Sequence, residues 1–485
     1  MAPRIVERFR LRTEPGSFAS VSGGLSSNKD LDPVPFESND RTWTWPSLLG
    51  FWVAEAFSIS MYQVASSSIT KGLSPGLAIT AVLVGHPLVC IPAMLNGYIG
   101  CIYGINFPVL MRSTFGVYGA YFAVFVRGVV ACIWFGTQSF QGGQCIQTML
   151  QAIWPSFKRF PNHTPVSAHV TSAQMLCFFL FIIVQLPLLW LHVSKLRYLF
   201  MAKTIIMPIF ETAVDTLYSE RIWSDFLKRY RHVDGTPVAV VFFQCVTTTI
   251  SPKATLALNM PDFTRYAKYP RQVFWTQAVG LCVLVTLCGI LGITVTLACQ
   301  EVYGVTTWNP LQVSILWDNR AAQFFSALCW AFAVIGTNIS AISVSFSNDL
   351  ALWFPKWINT RRGAYVCCIL SIAATPWNIQ HSAASFSAFL GGYGIFFHGF
   401  NLRAFLAFAC GIAPNLAGLA RATGNLSVPK TATYVYSLSW LVEGKHEEVE
   451  VMEGVDGSSM AVSDEEGRAT GDSKVKACQG SKPTI

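Results

Sequence analysis

VFWTQAVGLCVLVTLCGILGITVTLA, residues 273–298, contains no charged side chain. An α-helix needs about 20 apolar residues to cross the hydrocarbon core of a bilayer. Residues 78–95 and 175–193 are of the same kind. Soluble domains carry about 25% charged residues, whereas only 12% of this 485-residue chain is charged. The sequence therefore predicts an all-α integral membrane protein.

Further apolar segments on both sides of residues 273–298 predict eleven membrane helices between residues 45 and 442. Residues 1–44 form a polar arm, and residues 211–235 form a polar insert that does not suit hydrocarbon. Residues 443–485 are acidic and rich in Gly and Ser, so we expect them to be disordered. Basic residues concentrate in alternate loops, which predicts a cytosolic arm in a multi-pass topology.

Composition excludes several classes of function. The net charge of +8 is spread over the loops, which is typical of cytosolic loops of a membrane protein and not of a nucleic-acid partner. The sequence shows no paired carboxylates, no Ser/His pair and no metal-ligand spacing among its 14 cysteines. We therefore expect no enzyme, no cofactor, no metal and no nucleic acid. The bilayer is the expected partner, and a homo-oligomer is compatible with the sequence.

Two charged residues lie inside predicted membrane helices, where a charge costs about 2.5–3.5 kcal/mol on insertion scales. Glu55 follows Trp45 by ten residues; a change of protonation would lower its cost, and a static ion pair or a helix end is the alternative. Lys253 follows Pro252. Proline removes a backbone hydrogen bond, which predicts a helix break at residues 250–254 that opens onto a cavity. The alternative for Lys253 is snorkelling to the interface.

Trp134 and Gln138 are four residues apart, so they share one helix face. An indole can stack on a planar heterocycle, and a carboxamide can donate to and accept from the edge of that ring. We expect both to face a pocket opposite Pro252, although core packing would produce the same pair. Asn338 lies among small polar residues of the eighth predicted helix, which either permit close helix packing or line a cavity.

Several stretches together resemble one known family. They are NKDLDPVP (28–35), EAF (55–57), YQVASS (62–67), WFGTQ (134–138), SPKATLALN (251–259), DFTRYAK (262–268), GTNISA (336–341) and NDL (348–350). Their order resembles the nucleobase:cation symporter 1 family, in its fungal branch of uracil, allantoin and uridine permeases.

The resemblance implies a LeuT-like 5+5 inverted repeat with broken first and sixth helices, here with about eleven of the usual twelve helices. It also implies import of a nucleobase or related heterocycle with a proton across the plasma membrane; sodium is less expected. By position Trp134 would stack on the ring, Gln138 would bond its edge and Lys253 would line the site. The predicted residues are Trp134, Gln138, Lys253 and Asn338 for substrate binding, Glu55 and Asp349 for proton coupling, and Asp32 for gating.

The chain also departs from the family pattern. Ile342 stands where the family usually has a substrate-binding asparagine, and isoleucine can neither donate nor accept a hydrogen bond. The parts corresponding to helices five, ten and twelve are altered or truncated. The alternative is therefore a protein that does not transport: a divergent, transport-deficient copy of such a permease, or the product of a wrongly assembled coding sequence.

Overall fold

The computed structural model describes residue 11 and residues 28–190 and 237–393. The polar insert, the acidic tail, most of the arm and the chain beyond residue 393 lie outside the described residues. The predictions made for helices five and twelve and for the end of helix ten fall there too.

The described architecture is helical. Before the gap the α-helices are α1 (Trp45–Ala56), α2 (Ile59–Thr70), α3 (Pro75–Tyr103), α4 (Phe107–Ile153) and α5 (Ser172–Gln185). After it they are α6 (Val238–Thr264), α7 (Pro270–Val279), α8 (Thr286–Tyr303), α9 (Pro310–Ile315), α10 (Arg320–Thr337), α11 (Ser343–Trp353), α12 (Thr360–Ala373), α13 (Pro376–Gln380) and α14 (Ala383–Tyr393). π turns join α7 to α8 (Gly280–Val285) and α10 to α11 (Asn338–Ile342).

Within residues 28–190 and 237–393, five helical segments are long and apolar enough to cross a membrane. The pair α1 and α2, bent by 49°, makes a sixth if it counts as one span. Residues 273–298 lie within one of the five, Pro270–Tyr303. The apolar stretches of the sequence therefore become the long helices.

The first span is interrupted, whereas the sixth is not. Helix α1 ends at Ala56 and α2 begins at Ile59, where the Ser58 hydroxyl accepts a hydrogen bond from the Met61 amide at 3.4 Å. Helix α6 instead continues through Pro252, so the predicted break at residues 250–254 is wrong. Proline is tolerated in membrane helices because neighbouring helices and hydroxyl side chains can compensate the lost backbone bond.

Helices α3 and α6 pack backbone against backbone at Gly100. A Cβ at Gly100 would lie 2.5 Å from the Pro261 Cα and 2.7 Å from the Thr264 hydroxyl oxygen. Only glycine leaves room for this approach, and the approach fixes α6 beside α3.

The described part of the arm is tied to the ends of α3 and α6 and to the segment before α7 by hydrogen bonds to the backbone. Trp43 donates to the Tyr266 carbonyl at 3.0 Å and accepts from the Lys268 amide at 2.9 Å. The Arg41 guanidinium is buried beside this bridge, and it donates to the carbonyls of Val34, Pro35, Cys101 and Ala267 at 2.6–3.2 Å. These bonds join the entry of the first span to the exits of the second and sixth.

Replacing Gly100 with alanine should force α3 and α6 apart, since the new Cβ collides with backbone of Pro261. Overpacking of this kind typically costs about 1–3 kcal/mol, so we expect the thermal unfolding midpoint in detergent to fall by several degrees. Gly128→Ala is the matched control, because its Cβ would meet nothing closer than 3.7 Å. Equal midpoints for the two variants would contradict the close approach.

Candidate functional site

A cavity lies at the break in the first span. Four helical segments line it. They contribute Glu55, Ser58, Ser60 and Met61 from the first span; Arg127, Val130, Ala131, Trp134 and Gln138 from α4; Pro252, Lys253, Thr255, Leu256 and Asn259 from α6; and Thr337, Ala341 and Ile342 from α10 and its π turn.

Trp134 and Gln138 both line this cavity, on the same wall. The indole of Trp134 makes T-shaped contacts with Phe386 at 6.4 Å and Phe389 at 5.6 Å between ring centroids. Gln138 is 3% exposed, and its Oε1 has no hydrogen-bond partner among the described residues. A buried acceptor left without a donor costs roughly 1–3 kcal/mol, which a bound N–H group would recover.

Lys253 lies against the end of α1. Its ammonium group donates to the backbone carbonyl of Glu55 at 3.0 Å. The last carbonyls of a helix have no partners within that helix and form the negative end of its dipole. Both side chains are buried and line the cavity. Lys253 therefore does not snorkel to the interface; it links α6 to the break in the first span.

Arg127 is the functional candidate that sequence reasoning missed. Its side chain is 1% exposed and forms a bidentate ion pair with Asp349, with Nε donating to Oδ2 at 2.7 Å. Nη1 donates to the Asn259 Oδ1 at 2.6 Å and pairs with Asp262 at 3.3 Å. The guanidinium also lies 3.8 Å from the ring centroid of Phe107. The available signal was the charge itself: Arg127 lies in an apolar stretch of the sequence, where a charged residue requires a buried partner.

This cluster also fixes the surroundings of Asp349. Asp349 does not line the cavity. It reaches the site through Arg127, which does. Two acidic side chains, Asp349 and Asp262, share one guanidinium.

Asn338 lies outside the cavity lining. Its Nδ2 donates to the Ser139 hydroxyl at 3.0 Å and to the Gln185 Oε1 at 3.1 Å, while Gln185 Nε2 donates to Ser139 at 2.9 Å. The π turn beginning at Asn338 changes the helical register, so that Ile342 meets the cavity instead. The predicted substrate contact of Asn338 therefore has no geometric support; the residue joins α4, α5 and α10.

Asp32 is half-buried in the arm, outside the cavity lining. Two residues earlier, Asp30 connects the arm to three other elements. Its carboxylate accepts from the Thr360 amide at 3.0 Å, and its backbone carbonyl accepts from Asn106 at 3.2 Å and Arg265 at 2.8 Å. A gating role for Asp32 stays a prediction.

The sequence matches the family described as permeases for cytosine/purines, uracil, thiamine and allantoin over residues 33–400 and 397–443. The chain belongs to this permease family. It is similar to the uridine permease of Saccharomyces cerevisiae, with 30% identity over 86% of this chain and 72% of the relative. The allantoin permease of the same yeast is 29% identical over 85% of this chain and 72% of that relative. The predicted family and its fungal branch are confirmed.

Solved structures show the fold. The permease is similar to Mhp1, a nucleobase-cation-symport-1 family transporter, in its inward-facing conformation, with a TM-score of 0.64, 15% identity and coverage of 92% of this chain and 96% of Mhp1. A closed conformation of Mhp1 with bromovinylhydantoin bound gives a TM-score of 0.63. The all-α, LeuT-like fold is thus confirmed. Since its family and relatives are permeases, the permease is a multi-pass transporter and not an enzyme.

Arg127→Gln should destabilise the permease strongly, because it leaves Asp349 and Asp262 buried without their cation. Breaking a buried ion pair from one side costs about 3–5 kcal/mol. Combining it with Asp349→Asn should lower the midpoint of thermal unfolding by less than the sum of the two single changes. Exposed Arg159→Gln is the control and should leave the midpoint unchanged. Additive effects would refute the coupling.

Proposed function

We propose that the permease imports a nucleobase or related heterocycle, of the uracil, allantoin, uric acid or uridine type, together with a proton across the plasma membrane. One observation supports this most: Trp134, Gln138, Lys253 and Glu55 surround a single cavity at the break in the first span. Stacking, hydrogen bonding and a titratable carboxylate are thus available around one molecule.

The chemistry of the cavity favours a flat ring with adjacent N–H and C=O groups. The Gln138 Oε1 lacks a donor, and a ring N–H would supply one. The amide nitrogen of the same side chain can donate to a neighbouring ring carbonyl. The indole of Trp134 offers its face for stacking, while its contacts with Phe386 and Phe389 restrict the tilt of the ring. These features select a planar amide or imide over an aliphatic solute.

Glu55 and Lys253 are the proposed coupling pair. Protonation neutralises Glu55, which lowers the cost of closing the cavity around it, because a charge in a low-dielectric site is expensive. Lys253 holds the end of α1 through the Glu55 carbonyl, so the carboxylate and the helix break are parts of one unit. The ammonium already occupies the negative end of α1, which favours a proton over a sodium ion. Asp349 does not reach the cavity itself and would influence coupling through its ion pair with Arg127.

The transport-deficient alternative rests on Ile342 and on segments outside the described residues. Ile342 supplies an apolar wall to the cavity. Loss of a polar contact there weakens recognition of one substrate group, yet Gln138 and Lys253 still provide polar partners. The cavity thus favours a working permease of altered selectivity.

Trp134→Ala should reduce uptake of radiolabelled uracil, allantoin or uric acid at trace concentration, in cells that lack their own permeases. Stacking of a base on an aromatic ring is worth about 1–3 kcal/mol, which corresponds to a roughly 5- to 150-fold loss of apparent affinity. Gln138→Ala should give a similar loss, because the ring edge loses its partner.

Thr137→Ser is the matched control for both variants. Thr137 lies in the same helix, and its hydroxyl bonds the Ile133 carbonyl away from the cavity lining. Uptake is normalised to the amount of protein at the cell surface. Full uptake by the Trp134 and Gln138 variants would remove the cavity from the transport path.

Lowering the external pH from neutral to mildly acidic should raise uptake, since the proton is then a more concentrated co-substrate. Glu55→Gln, which cannot change its charge, should flatten this dependence at equal surface expression. Replacing external sodium with choline is the companion measurement and should leave uptake unchanged. A sodium requirement, or an unaltered pH profile in Glu55→Gln, would overturn the assignment of Glu55.

A further inference from the structure

The loop between α4 and α5 contains the tripeptide Asn162-His163-Thr164. The pattern Asn-x-Ser/Thr, with x other than proline, is the acceptor signal for N-linked glycosylation. The chain has two further copies, beginning at Asn338 and Asn425. Asn338 is fully buried within a helical span, and Asn425 lies outside the described residues. Among the residues that the structure describes, the signal is exposed at Asn162 alone.

The side chain of Asn162 is held in a defined conformation. Its Oδ1 accepts from the Thr164 hydroxyl at 2.8 Å and from the Thr164 amide at 3.4 Å, which forms a compact Asx turn. The same oxygen accepts from the Ser172 amide at 3.0 Å at the start of α5. The nitrogen Nδ2 makes one hydrogen bond, to the Thr164 carbonyl at 3.3 Å. A carboxamide nitrogen has two hydrogens, so one remains for substitution.

The loop lies at the end of α4 that is opposite to the arm. Helix α4 begins beside the arm, where Asn106 donates to the Asp30 carbonyl, and it ends at Ile153. The ends of the spans beside the arm carry the basic residues Arg265, Lys268, Arg271, Lys356, Arg361 and Arg362. By the positive-inside rule that end is cytosolic. The loop with Asn162 therefore faces the lumen during synthesis and the exterior afterwards.

Helix α4 also raises the loop away from the lipid. After the kink at Gly116 (φ +74°) the helix continues to Ile153, a length of about 55 Å at about 1.5 Å per residue. The hydrocarbon core measures only about 30 Å. Even at a tilt of about 40° the helix spans about 42 Å, so its last turns lie outside the hydrocarbon core and the loop is on the luminal side.

We propose that Asn162 is an N-linked glycosylation site of the permease. The donor is an oligosaccharide linked through pyrophosphate to a membrane lipid. Its anomeric carbon forms a bond to Nδ2 of Asn162, the bond from that carbon to the pyrophosphate oxygen breaks, the lipid pyrophosphate leaves, and Nδ2 loses one proton. The Oδ1 hydrogen bonds to Thr164 and Ser172 need no change, so the glycan is compatible with the folded loop.

The test uses the full-length, C-terminally tagged permease expressed in yeast. Treatment with an endoglycosidase that removes N-linked glycans should produce one step of increased mobility on a denaturing gel. Asn162→Gln and Thr164→Ala should migrate at the deglycosylated position without treatment, whereas Thr164→Ser keeps the acceptor signal and should retain the shift. Asn425→Gln should also retain it.

Each of these results either supports glycosylation of Asn162 or overturns it. Absence of a shift in the unaltered permease, or a shift that Asn425→Gln abolishes and Asn162→Gln leaves intact, overturns the proposal. Thr164→Ala keeps both partners of the hydrogen bonds that Ser172 donates to Asn162, so loss of the shift in a variant that still elutes as a folded protein cannot be ascribed to misfolding. Radiolabelled uptake by Asn162→Gln is scored separately, because failure of glycosylation leaves the proposed transport function untouched.

Discussion

The buried guanidinium of Arg127 is the constraint on which the arrangement of the central helices depends. A full charge with 1% exposure is tolerable only if its donors are satisfied. Asp349, Asp262, Asn259 and the Ser345 carbonyl satisfy them. These partners belong to α6 and α11, so α4 cannot rotate or slide against either helix without breaking the cluster.

The same constraint orients the candidate site. Trp134 and Gln138 follow Arg127 by seven and eleven residues, a spacing that keeps all three on one helix face. Once the ion pairs fix the direction of Arg127, the indole and the carboxamide must point into the same cavity. Loss of the cluster would therefore disturb this wall of the cavity without any change in Trp134 or Gln138 themselves.

A second link joins this wall to the opposite one. The first span breaks between Ala56 and Ile59, and the carbonyls at the end of α1 need donors. Lys253 supplies one from α6. Helix α6 is itself fixed by its contact with α3 at Gly100. The helix break, Lys253 and the contact at Gly100 are thus linked through α6, and Glu55 lies at the break.

The sequence by itself determined the class of protein, because long stretches without charge can only be buried in lipid or protein. It also identified the residues able to bind a polar ligand. These were found from the Trp134–Gln138 spacing, the isolated charges at Glu55 and Lys253, and the motifs that resemble the permease family. The tertiary structure decided the partners. Residues distant in the chain set the role of Arg127, the π turn moved Asn338 out of the cavity and Ile342 into it, and packing kept α6 continuous through Pro252. The local sequence pattern shows which interactions a residue is chemically able to make. Its burial and helical register decide which of them it makes, and these depend on residues far along the chain.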